Sequence, residues 1–487
     1  MAFPGFEEDD QGAGVVVADP GVDAVAVVGG DVEDDGGGGA GGPGGAVDRV
    51  EGGHLDAAVG SCLEVRPEEG IAGDQQDRLC HGPNLLPTPW PDWLSILPAG
   101  TGDDNGSPDK SPLGARRYAP GMTQPATAGA GPEVGAARVR FRVPDPGAAL
   151  EEVRLYQEVR RPRVGPAFTR DDAAATWVLD FPRPAVDRME YQLALRYPGA
   201  GLVLLPDPAN PLRADGPFGE KSVIEFPGYH PPAWLAAAGR PATPATTGLA
   251  VPSRVLGARV PVEVWRSRGG RRGRPGDPLP MLVVHDGPEY ARYAALLDFL
   301  TVATVDGRLP PMRAALLVPV DRNEHYSASP AWSRALVSEV LPALGALAPT
   351  PPGRRHLVGM GASLGGLAML AAARTAPASF GGLFLQSGSF FRPVTDDHER
   401  DFPHFRRITR FVDDLAAGGG GSAEPSVATL TCGTVEENLA GNRVVRDALA
   451  ARGWRAALAE HPDAHNWVAW RDTFDPWLVG LLQELWA

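Results

Sequence analysis

His356-Leu357-Val358-Gly359-Met360-Gly361-Ala362-Ser363-Leu364-Gly365-Gly366-Leu367 is the stretch that decides the fold. A short apolar run meets Gly361-Ala362-Ser363-Leu364-Gly365, and an alanine-rich helical pattern follows. In a strand–turn–helix setting, a serine flanked by glycines is held at the apex with its hydroxyl exposed. Gly361 and Gly365 keep side chains out of the crowded turn. The helix begins near Leu364, so its free N–H groups can face a developing oxyanion. Ser363 therefore reads as a nucleophile. The competing reading is a tight glycine turn that happens to hold a serine.

Outward from that stretch, strand and helix patterns alternate. Met281-Leu282-Val283-Val284-His285 and Ala314–Val320 are nearly continuous apolar runs, as in strands of a parallel sheet covered on both faces. Gly382–Ser387, Val427–Thr431 and Trp454–Glu460 continue the series. Helical patterns fall at Tyr290–Leu300, Ala331–Leu347, near 364–375, at Arg443–Ala451 and at Phe474–Trp486. Val260–Trp265 contains Pro261 and reads as an edge strand. The fold class expected for residues 253–487 is α/β, a mostly parallel sheet with helices on both faces.

Upstream the pattern changes. Residues 134–235 hold short alternating runs, Ala137–Val143, Val153–Tyr156, Thr176–Phe181 and Tyr191–Tyr197, punctuated by Pro and Gly. They suggest a small all-β, immunoglobulin-like sandwich. In Asp207-Pro208-Ala209-Asn210-Pro211 the prolines preset φ, and the Asp and Asn side chains can cap backbone amides. Residues 236–252, rich in Ala, Gly, Thr and Pro, read as a linker. Residues 1–133 read as a largely disordered acidic, Gly/Pro-rich extension. Met122 precedes the first folded pattern and is a candidate translation start.

The net charge of −15 belongs to that extension, because residues 1–121 carry 22 acidic against 6 basic residues. The remainder is close to neutral and has no basic stripe, so nucleic acid is not an expected partner. Lys110 and Lys221 are the only lysines beside 43 arginines, a bias that weakens any inference from arginine enrichment. Cys62, Cys80 and Cys432 form neither a disulfide framework nor a ligand cluster. The acidic N-terminus and the lack of a sustained apolar span point to a cytoplasmic protein without a membrane partner. Oligomeric state is not legible.

A nucleophilic serine needs a base and an orienting acid, here in the chain order serine, acid, histidine. His465 lies just after the last strand and is the expected base, with His461 as rival. The acid should follow the preceding strand, where Glu436 is the first choice and Glu437 the fallback. One oxyanion donor is the Leu364 N–H. The second should come from Asp286 or Gly287, after strand 281–285, with Gly287 letting backbone approach the substrate.

His285-Asp286-Gly287, Arg322-Asn323-Glu324, Ser338–Pro342, the Gly361–Gly366 elbow, Gln386-Ser387-Gly388-Ser389, Cys432–Glu436 and His465–Arg471 occur in that order. With Asp207–Pro211 and Glu225–Tyr229 in the β segment, residues 134–487 resemble the enterochelin esterase family within the α/β-hydrolases. That resemblance implies hydrolysis of ester bonds in a small-molecule substrate, a ferric catecholate trilactone siderophore, through an acyl-serine. It implies that Arg322 is a clamp or cleft-wall residue with Glu324 as its partner. Arg392, Arg406, Arg407 and Arg410 would lie on a substrate-covering cap, and Trp467 would contact substrate. No cofactor is expected, since no His/Cys/carboxylate ligand set is visible. Other carboxylic esters, acyl transfer and noncatalytic ligand binding are the alternatives.

Overall fold

The computed structural model describes residues 131–199, 201–238, 246–267, 276–418 and 426–486. The acidic extension and Met122 lie outside the described residues.

The first described region is all-β. One antiparallel sheet runs in the order Glu133–Val134, Arg138–Pro144, Thr176–Pro182, Thr169–Asp171. The other runs Glu152–Gln157, Arg188–Arg196, Lys221–Glu225, Arg213–Ala214, with Leu202–Leu205 also paired to Arg188–Arg196. The alternation at Ala137–Val143 has its physical cause here: Val139, Phe141 and Val143 are buried while Arg138 and Arg142 are exposed. Phe141 meets Phe168, Phe181 and Tyr191 edge-on, at ring separations of 5.1 to 6.5 Å. The Asp207–Pro211 turn caps itself as expected, with Asp207 Oδ1 accepting from the Ala209 N–H and Asn210 Oδ1 from the Leu212 N–H, both at 2.9 Å.

An eight-stranded sheet follows. Its strands are β1 (Thr246–Ser253), β2 (Ala258–Arg266), β3 (Met281–His285), β4 (Arg313–Leu317), β5 (Leu357–Ala362), β6 (Gly382–Gln386), β7 (Val427–Gly433) and β8 (Arg455–His461). The spatial order is β1-β2-β4-β3-β5-β6-β7-β8. The pairs β1/β2 and β2/β4 are antiparallel and the remaining pairs parallel. Every residue of β3, β4, β6 and β7 is buried, as their continuous apolar character requires.

Two expectations change. Thr246–Ser253, which composition marks as linker, is a strand paired along its whole length with Ala258–Arg266. That addition displaces β2 from the edge. Pro261 is tolerated inside the sheet because the N–H it lacks would face Val318, one residue past the end of β4, while its carbonyl accepts from the Val318 N–H at 3.1 Å. The helical pattern at Tyr290–Leu300 also breaks in two, Gly287–Tyr293 and Leu296–Val305, with Ala295 at φ 50° between them.

Helices cover both faces of the sheet. One apolar cluster gathers Leu364, Leu367, Met369 and Leu370 of the helix after the elbow with Trp332, Leu336, Ile408 and Val412. The other gathers Phe299, Leu300, Phe474, Leu478 and Leu482. Among the described residues no helix is long and apolar enough to cross a membrane.

Candidate active site

Ser363 sits between β5 and the helix Leu364–Thr375 with φ 54° and ψ −126°, a strained conformation for a residue with a Cβ. Its N–H donates to the Gln386 carbonyl of β6 at 2.9 Å, which fixes the turn. A Cβ on Gly361 would stand 2.5 Å from the Gly365 carbonyl carbon and oxygen, so the chain can close here only with glycine. The Ser363 side chain is largely buried, and its Oγ lies 3.1 Å from Oγ of Ser389. Leu364 is the first residue of the helix, where backbone N–H groups have no intrahelical partner.

Glu436 and His465 come from the loops after β7 and β8. His465 Nδ1 is 2.8 Å from Glu436 Oε2. Glu436 Oε1 accepts from Oγ of Ser387 and from the Gly433 N–H, both at 2.7 Å. Ser387 is held in turn by the Trp470 indole N–H, which donates to its Oγ at 3.0 Å. Burial pushes the Glu436 carboxyl up, but His465, Ser387 and the Gly433 amide outweigh it and hold the group below the usual carboxylate range. Burial pulls the His465 imidazole down, yet the facing Glu436, with Glu158 and Glu437 beyond it, raises it above its ordinary value. Ser363, Ser389, Glu436 and His465 line one pocket, together with Glu158, Arg160, Phe391, Glu399, Glu437 and Asn438. Glu437, the alternative acid, turns to Nε2 of His398 at 2.9 Å. The rival histidine, His461, ends β8 outside this lining.

The loop after β3 is fixed by contacts of its own. The Asp286 carboxylate accepts three hydrogen bonds from the Arg322 guanidinium, at 2.8 to 3.2 Å. Its N–H points to the Tyr326 hydroxyl at 3.4 Å. A Cβ on Gly287 would collide with the Leu316 backbone of β4. Gly287 thus admits a neighbouring strand, which is reason enough for glycine without any substrate approach. His285 is fully buried, with Nδ1 2.9 Å from the Gly365 carbonyl and Nε2 accepting from the Trp332 indole at 3.2 Å. Burial lowers its pKa to about 4, so it is a neutral tie between β3 and the elbow.

Glu324 is not the partner of Arg322. It pairs with Arg407 at 2.8 Å and with His404 at 3.3 Å, joining the short helix Arg322–Tyr326 after β4 to the helix Phe405–Ala416. Arg407 is therefore engaged, while Arg406 and Arg410 are exposed on that helix. Arg392 is half-buried beside Phe391, and its Nε is buried without a hydrogen-bond partner among the described residues. Trp467 is not in the pocket lining. It packs against Tyr290, Tyr293 and Trp470 at ring separations of 4.8 to 5.8 Å. Among the described residues, His398, Glu399 and Glu437 bring three potential ligand atoms within 4.8 Å of one another, although His398 and Glu437 lie far apart in sequence.

Residues 271–481 match the family model described as "Putative esterase". The matched region is similar to that family. It contains Ser363, Glu436 and His465, whereas Glu158 and Arg160 of the same pocket fall outside it. The chain is 29% identical over 289 residues to an iron(III) enterobactin esterase of Dickeya dadantii, covering 54% of this chain and 62% of that protein. It is 30% identical over 229 residues to the iron(III) enterobactin esterase of Escherichia coli O6:H1, covering 45% and 54% respectively. Both alignments thus span less than two thirds of the relatives' own length. In three dimensions the fold matches the enterobactin esterase of Shigella flexneri, crystallised in the presence of 2,3-dihydroxy-N-benzoyl-glycine. That likeness has a TM-score of 0.57 at 21% identity, over 73% of this chain and 97% of that one.

Proposed function

We propose that the protein is a serine esterase acting on carboxylic esters, with catecholate trilactone siderophores as its substrate class. The observation that carries this reading is the Glu436–His465 pair at 2.8 Å, lining one pocket with an elbow serine. Ser363 Oγ attacks the ester carbonyl while His465 Nε2 takes its proton. Glu436 holds the opposite tautomer and stabilises the imidazolium. The tetrahedral oxyanion is met by the Leu364 N–H and by a backbone N–H of the Asp286–Gly287 loop. His465 then protonates the leaving alkoxide, the C–O bond breaks, and Ser363 remains acylated. Water attacks the acyl group and gives a proton to His465, which passes it to Ser363 Oγ as the acyl–Oγ bond breaks, releasing the acid and restoring Ser363 and neutral His465.

The substrate class draws support from the two enterobactin esterase relatives and the motifs shared along residues 134–487. Arg392, whose Nε lacks a partner beside the pocket-lining Phe391, is the cap arginine suited to an anionic catecholate. Arg322, paired with Asp286, is not among the pocket-lining residues. We read the two antiparallel sheets as an immunoglobulin-like sandwich, and the setting as cytoplasmic, where iron would be released as cargo.

The test is incubation with trilactone siderophores and simple aryl esters, followed by mass detection of products and of acyl-Ser363. S363A should lose about 10⁶-fold in kcat and form no acyl adduct. Undiminished turnover by S363A ends the proposal. Turnover of aryl esters alone moves the substrate to another ester class, and product capture by an added alcohol in preference to water marks acyl transfer.

A further inference from the structure

We propose that Glu158 is a specificity-determining residue whose buried carboxylate accepts a hydrogen bond from an amide N–H or hydroxyl of the ester held beside Ser363. This rests on the esterase reading above and adds a substrate contact supplied from outside the region matched to the esterase family.

Glu158 directly follows the strand Glu152–Gln157 of the β region. Its side chain is 5% exposed, yet it lines the same pocket as Ser363, Glu436 and His465. Oε1 is paired with Nζ of Lys221, while Oε2 is buried with no hydrogen-bond partner among the described residues. A buried carboxylate oxygen left in that state is costly, and a donor arriving with a ligand relieves the cost on binding. The carboxylate is also aimed in advance. Lys221 reaches Glu190 Oε2 at 3.4 Å, and Glu190 Oε1 accepts from buried Arg188 at 2.7 Å. This Arg188–Glu190–Lys221–Glu158 chain sets the direction of Oε2 before any substrate enters, so little ordering is left for the bound state. The residues flanking Glu158 are fixed too, because the Arg160 N–H donates to the Val435 carbonyl, next to Glu436, at 3.0 Å. Burial raises the Glu158 pKa while Lys221 lowers it, and the acceptor role is that of the carboxylate ion-paired with Lys221. Its contribution is to selection.

The pocket's other carboxylates are already engaged. Glu436 faces His465, while Glu437 and Glu399 face His398 at 2.9 and 3.7 Å. Glu158 therefore presents an acceptor to a ligand without dismantling the acid–base pair.

The experiment uses the full-length protein and the linear ester dimer of N-(2,3-dihydroxybenzoyl)serine, with two analogues, one methylated on every catechol oxygen and one on every amide nitrogen. Wild type should prefer the parent ester over at least one analogue by about ten- to a hundredfold in kcat/KM, chiefly through KM. In E158Q that preference should shrink to about threefold or less. E158D, which withdraws the carboxylate by one methylene, should behave likewise and guards against misfolding of the first variant. The proposal is overturned if wild type treats all three esters alike, if the variants keep the full preference, or if they slow every ester by the same factor. Acylation of Ser363 by p-nitrophenyl butyrate, followed by mass, reports the esterase reading separately. Its absence in wild type would remove that reading, and its presence with no donor preference removes only the role of Glu158.

Discussion

Glu436 Oε2 lies 2.8 Å from Nδ1 of His465, and the next carboxylate in the chain, Glu437, turns away to Nε2 of His398 at 2.9 Å. Two adjacent glutamates of one loop thus serve different histidines. Substituting Glu436 by Ala should lower kcat about 10⁴-fold, while H465A should approach the roughly 10⁶-fold loss of S363A. E437A should lose less than tenfold on a simple aryl ester. Steady-state kinetics of the four variants decides between the two acids; comparable losses in E436A and E437A would break the assignment.

The pH profile carries a second expectation. In the proposed mechanism the base works as neutral imidazole, and Glu436 raises His465 against the lowering effect of burial. The acid limb of kcat/KM should therefore lie above the ordinary histidine value of about 6.5. E436Q removes the raising carboxylate and leaves burial, so its residual activity should show a limb displaced to lower pH. A limb that stays in place would show that Glu436 does not set the imidazole.

The same pair links stability to pH from both sides. The folded pKa of Glu436 is depressed, so its contribution is present above the unfolded value of about 4.3 and is lost as pH falls through the folded value. The folded pKa of His465 is raised, so its contribution is present below about 6.5 and is lost as pH rises through the folded value. The stability difference between wild type and E436Q should be largest between those limits. Denaturant melts across pH 4 to 9 measure it.

Arg322 and Asp286 form a buried pair, with side chains 17% and 6% exposed. D286N leaves the guanidinium without its charge partner and should cost about 3 kcal/mol, visible as a lower urea midpoint. The double variant D286N/R322M should recover part of that loss. Recovery of nothing would mean that the two side chains are not coupled.

Trp467 stacks in an aromatic group with Tyr290, Tyr293 and Trp470 rather than in the pocket lining. W467A should cost about 2 kcal/mol of stability from lost aromatic packing and leave KM for small aryl esters within about twofold. A KM rise far larger than the stability loss would return Trp467 to the substrate.

Features governed by local rules were legible in the sequence. Gly361 is needed because any side chain there would strike the Gly365 backbone four residues on, and fully buried strands need mostly apolar runs. His465 and Glu436 followed from chain order and strand ends. Partners set by tertiary approach were not legible. Arg322-Asn323-Glu324 invites a local pairing, but a helical turn sends Arg322 to Asp286 and Glu324 to Arg407, 83 residues on. The crossing of β4 beneath Gly287 leaves no mark in sequence either. Ser389 was visible only as part of a motif without a role. Glu158 and Arg160 carried no signal at all, since they reach the pocket from a region with its own strand pattern. Thr246–Ser253 was hidden by composition: its Pro, Gly and Thr satisfy an outer strand as readily as a tether.

The β region grips both loops that carry the acid and the base. The Arg160 N–H donates to the Val435 carbonyl at 3.0 Å and the Asp187 N–H to the Pro462 carbonyl at 2.8 Å, and Val435 and Ala464 are buried in the β region's own core. The module acts as a splint across the loops that hold Glu436 and His465. On the proposed mechanism, excising it to obtain a minimal hydrolase would unmoor both groups, and the smallest working unit of this chain would be larger than the part in which they reside.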